Sequence, residues 1–167
     1  MTALRALAAL VLCLLAPAAM AQQIRVPGQD LAMVGRAAVI DGGTIEIGGN
    51  SIRLANLEAP PSSQTCTEKN GKATWRCGDR ASIFLNTFVG IATVTCFPHG
   101  IDAYTREVAH CFVNGQDIGA ALVRAGWALP RFSDEYAAEA AQAKAAGAGL
   151  WAFDFVPPWE WSKRRGS

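Results

Sequence analysis

Ile40 to Pro61 reads IDGGTIEIGGNSIRLANLEAPP, and its reading decides the fold. Asp41-Gly42-Gly43 and Gly48-Gly49-Asn50 are turn signals, because Gly and Asn accept the backbone angles that tight turns demand. TIEI lies between them and SIRLANL after them. Both runs alternate as strands do: Ile52, Leu54 and Asn56 share one face, Arg53, Ala55 and Leu57 the other. Ala59-Pro60-Pro61 stops the last run, since proline has no N–H to give a ladder. Short strands between Gly/Asn turns predict an antiparallel meander.

Working upstream, Met33 to Ile40 (MVGRAAVI) supplies the first strand of that meander. Downstream, the polar loop TEKNGKATWR is flanked by Cys66 and Cys77. Gly78 to Phe88 changes to helical period, with Ala81, Phe84, Leu85 and Phe88 on one face and Gly90 as the stop. Ala92 to Phe97 and Arg106 to Val113 return to strand patterning, and Asn114-Gly115 marks a tight turn. Asp117 is a natural cap for a helix through IGAALVRA, ended by Gly126. Ser133 begins an Ala-rich helix from Asp134 to Ala146, ended by Gly147 and Gly149. Three strands, a helix, two strands and two helices is the order of an α+β, mainly β fold: a five-stranded OB-type barrel with about three helices.

The chain has 167 residues, enough for one ordinary domain. Met1 to Ala21 carries Arg5, an apolar run from Ala6 to Leu15, and the small-residue end Ala19-Met20-Ala21. That is the layout of a signal peptide. The run is too short to span a bilayer. The expectation is export, periplasmic or secreted, after cleavage near Ala21, with residues 22–32 as a flexible lead-in, 33–161 as the domain and 162–167 as a basic tail. Without Arg5, basic and acidic residues balance, so there is no global pull toward nucleic acid or anionic lipid. The four remaining cysteines suit an exported disulfide framework. Chain order favours Cys66–Cys77 and Cys96–Cys111, each worth ~3 kcal/mol in chain-entropy terms. No C-x-x-C occurs, and His99 and His110 lack ligand spacing, which argues against zinc.

The motifs in combination resemble the thermonuclease (staphylococcal nuclease-like) family. They are Asp41-Gly-x-Thr44, Ile52-Arg53-Leu54-Ala55 running into Glu58-Ala59-Pro60, the Cys66…Cys77-Gly78 loop, Thr93-Val94-Thr95-Cys96, Asp102-x-Tyr104-x-Arg106, Leu122-Val123-Arg124-x-Gly126-Trp127-Ala128 and Gly149-Leu150-Trp151. The resemblance covers roughly Met33 to Trp161. It implies a five-stranded barrel with three helices and calcium-dependent cleavage of DNA and RNA phosphodiesters. It also implies roles residue by residue. Arg53 and Arg106 stand where the family grips the phosphate. Glu58 stands at one calcium ligand, one methylene longer than the family's aspartate. Gly43 stands where the other acidic ligand belongs, and Pro61 where the general base belongs. In the segment ending at Arg106, Thr105 replaces a glycine.

A general base contributes ~10²–10⁴-fold, and a metal acting as Lewis acid supplies several kcal/mol more. Losing the base at Pro61 and one of two acidic ligands at Gly43 predicts an exported nuclease-like protein with lost or residual activity and a binding role, in effect a pseudoenzyme. The alternative is an active calcium-dependent endonuclease using Arg53, Glu58 and Arg106. A third reading is a non-catalytic nucleic-acid binder using the groove. No cofactor is expected; calcium would return only with activity, held by Glu58 with Asp41, although Asp41 more naturally caps its own turn. The sequence names no partner; nucleic acid or a nucleotide phosphate at the barrel groove is the candidate, and a monomer is expected. Two readings of Arg106 stay open: phosphate binder, or ion-pair partner of Asp102 or Glu58. Tyr104 either bonds a ligand phosphate or lies on the barrel. Trp151, Trp159 and Trp161 either stack bases or seal the barrel.

Overall fold

The computed structural model describes residues 32–165. The leader expected at 1–21 and nearly all of the lead-in expected at 22–32 lie outside the described residues. The first expected strand is two: β1 (Met33–Arg36) and β2 (Ala38–Asp41), divided at Ala37. The next are β3 (Thr44–Ile47), β4 (Asn50–Leu54), β5 (Leu57–Glu58), β6 (Thr65–Glu68) and β7 (Thr74–Arg76). Helix α1 (Cys77–Val89) follows, then β8 (Thr93–Ile101), β9 (Glu107–Val113) and β10 (Gln116–Asp117). The C-terminal part holds α2 (Ile118–Arg124), β11 (Leu129–Pro130), α3 (Ala137–Ala146), a 3-10 turn (Gly149–Ala152), β12 (Phe153–Asp154) and α4 (Pro158–Arg165).

The main sheet runs β1-β8-β9-β4-β3-β2, with β10 beside β9. Its two end strands are consecutive in the chain. One bent segment therefore pairs with β8 on one side and β3 on the other, which curls the sheet into the expected OB-type α+β fold. Inside it Ile45, Ile52, Leu54, Val94, Ala109 and Val113 pack against Leu85 of α1 and Leu122 of α2. A satellite core forms around Cys66, Cys77 and Leu150, with Trp75, Trp127, Phe153 and Phe155 against it.

Both cysteine pairs are bonded as chain order indicated, Cys66–Cys77 and Cys96–Cys111. Each core holds one. Asp117 caps α2 by accepting from Ala120 N at 3.0 Å. The same carboxylate receives the Tyr136 hydroxyl at 3.2 Å, which ties the start of α3 to the start of α2. Burial and the nearby Asp117 push the Tyr136 phenol well above its ordinary pKa.

Three boundaries differ from the sequence reading. SIRLANL is not one strand: it breaks at Asn56, whose φ of 56° is left-handed, and Leu54 from one expected face is buried together with Ala55 and Leu57 from the other. Helix α3 starts at Ala137, because Ser133 receives only the Glu135 amide (3.3 Å) and caps a turn ahead of it. The tail forms a fourth helix, and the basic end belongs to it.

Candidate functional site: an arginine-lined cleft

A cleft of about 610 Å3 opens where β4 ends and the β8–β9 turn leans over it; Arg53, Glu58, Asp102, Tyr104, Arg106 and Phe132 are among its walls. Arg53 projects from β4, whose antiparallel partner there is Thr44 and whose parallel partner is Val108. Its guanidinium has no hydrogen bond or ion pair among the described residues.

Arg106 is already matched. Its Nε donates to Asp102 Oδ2 at 2.8 Å and its Nη2 lies 2.7 Å from the same oxygen. Nη1 donates to the buried Thr44 hydroxyl at 3.3 Å. Asp102 organises the turn, its other oxygen accepting the backbone amides of Tyr104 (2.9 Å) and Arg106 (3.0 Å). Desolvation pushes the Asp102 carboxyl upward, but the bonds from Arg106 and Tyr104 outweigh it and hold the group below its ordinary range. Of the two partners left open for Arg106, the structure selects Asp102. Tyr104 lies beneath the same guanidinium, 5.3 Å away, and is itself exposed.

Glu58 faces a different arginine. Arg131 Nε stands 3.7 Å from Glu58 Oε2, too far for a hydrogen bond but close enough to neutralise it. Pairing of β11 with β5 sets Leu129 opposite Glu58 and so brings Arg131 alongside. Trp159 of α4 lies 4.5 Å from the Arg131 guanidinium and Phe132 lies 5.3 Å from it. Arg131 and Phe132 were missed in the sequence, and Trp159 was read only as a ring that stacks bases or seals the barrel, without its partner Arg131. The only local signal was the arginine-aromatic pair after Pro130, and nothing local ties it to Glu58.

Gly43 and Pro61 are held by backbone contacts. Gly43 gives its carbonyl to Leu54 N (2.9 Å) and its amide to Asp41 Oδ1 (2.8 Å), so Asp41 caps its own turn. A Cβ on Gly43 would stand 3.3 Å from Arg53 Nη1. The guanidinium therefore borders the space that an acidic side chain would enter. Pro61 is outside the cleft wall, its carbonyl accepting Gln64 N at 2.7 Å and packing against Gly78 at the start of α1. Calcium takes about six to eight oxygen ligands, several of them carboxylate. Glu58 is matched by Arg131 and Asp41 by its turn. No group of three or more His, Cys, Asp or Glu side chains is placed to hold a metal among the described residues. The residues present do not fit calcium.

His110 is only partly exposed. Its Nε2 lies 2.9 Å from Glu135 Oε2, which also accepts Asn56 Nδ2 at 2.6 Å. His99, on the cleft wall, faces the His110 ring at 5.0 Å. The Asn56 bond, then the His110 bond, hold the Glu135 carboxyl below its ordinary range.

Curled sheet, helix placement and cleft position together define a nuclease-type OB barrel. Residues 51–153, more than half of the chain, match the family described as staphylococcal nuclease homologue. The chain belongs to that family. It is also similar to the succinoglycan biosynthesis protein ExoI of Rhizobium meliloti (strain 1021), 38% identical over 124 residues that cover 71% of this chain and 64% of that protein. The chain thus spans less than two thirds of that relative's length. The matched segment begins after Gly43, so the IDGGT turn is not part of the family match.

Proposed function

We propose that this protein is an anion-binding member of the nuclease fold whose phosphodiesterase chemistry is lost or residual. The observation that carries the reading is the Arg53 guanidinium, unpaired, facing the cleft and bordering the place of the missing carboxylate at Gly43. Arginine holds two phosphate oxygens at once, so this group suits a phosphate monoester or diester without a metal. Arg106 adds a second guanidinium, partly neutralised by Asp102. Pro61 offers neither base nor ligand.

The test is cleavage of single-stranded DNA by the purified chain with calcium, beside the double variant Gly43→Asp/Pro61→Glu. The expected result is no turnover above background in the natural chain, and gain of calcium-dependent cleavage in the variant. Family-level turnover by the natural chain would sink the reading and restore the active-endonuclease alternative. Binding of a deoxynucleoside bisphosphate, unaffected by chelator and lost in Arg53→Met, is the matching positive result.

The reading includes export to an oxidising compartment. Its support is the pair of disulfides and the leader-like start of the sequence. N-terminal sequencing of the protein recovered from its host checks it, with Gln22 the expected first residue. A second reading follows from the relative, whose name assigns it to succinoglycan biosynthesis: this chain serves glycan assembly. Disruption of its gene with measurement of exported polysaccharide tests that role.

A further inference from the structure

On another face of the molecule, Trp75, Trp127 and Phe153 surround a separate hollow of about 420 Å3, with Glu68 and Arg80 at its margin. Three distant segments bring the rings together: β7, the turn after α2, and β12. Trp75 meets Trp127 edge-on at 6.2 Å and 81°, and Phe153 at 4.5 Å and 72°. All three are only partly buried. Neither indole N–H of Trp75 and Trp127 has a hydrogen-bond partner among the described residues, nor has the Glu68 carboxylate. The Arg80 guanidinium lies 5.9 Å from the centre of the Trp75 ring and has no hydrogen bond or ion pair among the described residues, Glu68 included.

We propose that this hollow is a saccharide-binding site that takes a neutral hexose unit of a glycan. A pyranose has an apolar C–H face and a rim of hydroxyls, each both donor and acceptor. The aromatic rings match the face. Arg80 and the indole N–H groups donate to the rim, and Glu68 accepts from it. The charges select against other ligands: a bare anion meets Glu68, and a bare cation meets Arg80. Neither neighbour of Trp75 lies parallel to it, so the hollow has no pair of parallel rings around Trp75 to sandwich a nucleobase. The volume falls in the range of about 300–1,000 Å3 usual for small-molecule sites. The site is held in shape before any ligand arrives, because Cys66, cross-strand partner of Trp75, is bonded to Cys77 at the start of α1. This inference does not rest on the reading of the arginine cleft.

The experiment titrates cellobiose, lactose and maltose into the full chain with its disulfides intact, followed by tryptophan fluorescence and by saturation-transfer NMR. At least one disaccharide is expected to bind saturably. Because truncating Trp75 risks the satellite core, the margin variants Glu68→Gln and Arg80→Met carry the test. Each is expected to weaken binding about tenfold, the scale of one hydrogen bond to a charged group. Arg53→Met in the other cleft should leave affinity unchanged. No saturable binding by any of the three sugars overturns the proposal, as does affinity untouched by both margin variants. Preferential binding of choline or of a single-stranded oligonucleotide at these residues overturns it as well.

Discussion

Gly42 and Gly43 are neighbours, yet only one of them is demanded by packing. A Cβ on Gly42 would meet Ala81 Cβ at 2.7 Å and Ala59 Cβ at 3.0 Å, because α1 lies directly against the turn. A Cβ on Gly43 meets first the far end of a flexible arginine. Gly43→Asp should therefore fold with little change in stability, which is why the double variant is a fair test of the proposed function. Gly126 is the opposite case. Its φ is 75°, and a Cβ there would stand 2.1 Å from the Ala148 carbonyl oxygen. Gly126→Ala should cost roughly 2–4 kcal/mol, backbone strain and overpacking together, read from the urea midpoint. Asp102 gives a pH prediction. Its folded pKa is depressed, so its contribution to stability is present above the ordinary carboxylate pKa and is lost as pH falls through the folded value. Thermal unfolding between about pH 5 and pH 2 should show a shallower acid limb in Asp102→Asn than in the natural chain.

At the scale of elements, α4 closes one side of the cleft and steadies a residue far from it in sequence. Gln64, fully buried, donates to the Val156 carbonyl at 2.6 Å and so holds the segment that leads into α4. Ser162 then reaches the cleft wall and Trp159 covers Arg131. A double-mutant cycle on Arg131→Met and Trp159→Ala should give a coupling of about 1–2 kcal/mol, the value for a partly desolvated cation–π contact. Additivity would show that the two side chains merely lie near each other. The short turn before α3 is tied to the barrel through Glu135, Asn56 and His110. The depressed Glu135 carboxyl makes this tie weaken in acid in the same sense as the Asp102 turn.

Across the whole molecule, two cores carry two staples. Cys96 and Cys111 are directly opposed on β8 and β9 inside the barrel, whereas Cys66 and Cys77 join the small sheet to α1. Their sequence separations are 15 and 11. Similar loop lengths predict similar stabilisation, ~3 kcal/mol each. Removing the outer pair by Cys66→Ala/Cys77→Ala should lower the denaturant midpoint by that amount and loosen the aromatic hollow. Removing the inner pair should lower stability by a similar amount and leave the hollow's ligand binding intact. Equal loss of binding in both variants would contradict this division into two cores.

Much of the molecule was written locally. The Gly/Asn turns set the meander, the change from a period of two to helical period set α1, and Asp117 set the cap of α2. Chain order set both disulfides. The absence of acid at Gly43 and Pro61 was also plain, since chemistry at a position is read from the residue itself. Other features lay beyond that reading. The split at Asn56 depends on how Ala55 and Arg131 pair with the chain around it, Ala55 with Ala109 and Arg131 with Asn56 itself. The partner of Glu58 was not legible because the β5–β11 register is a long-range choice that no local periodicity records. The same holds for the hollow of Trp75, Trp127 and Phe153, built from three segments that meet only when the satellite core forms. By itself the sequence determined the elements and the non-acidic residues at Gly43 and Pro61, because both are properties of residues and near neighbours. Only the tertiary structure decided which cation answers Glu58 and which aromatic rings share a pocket, because those are set by packing between segments far apart in the chain.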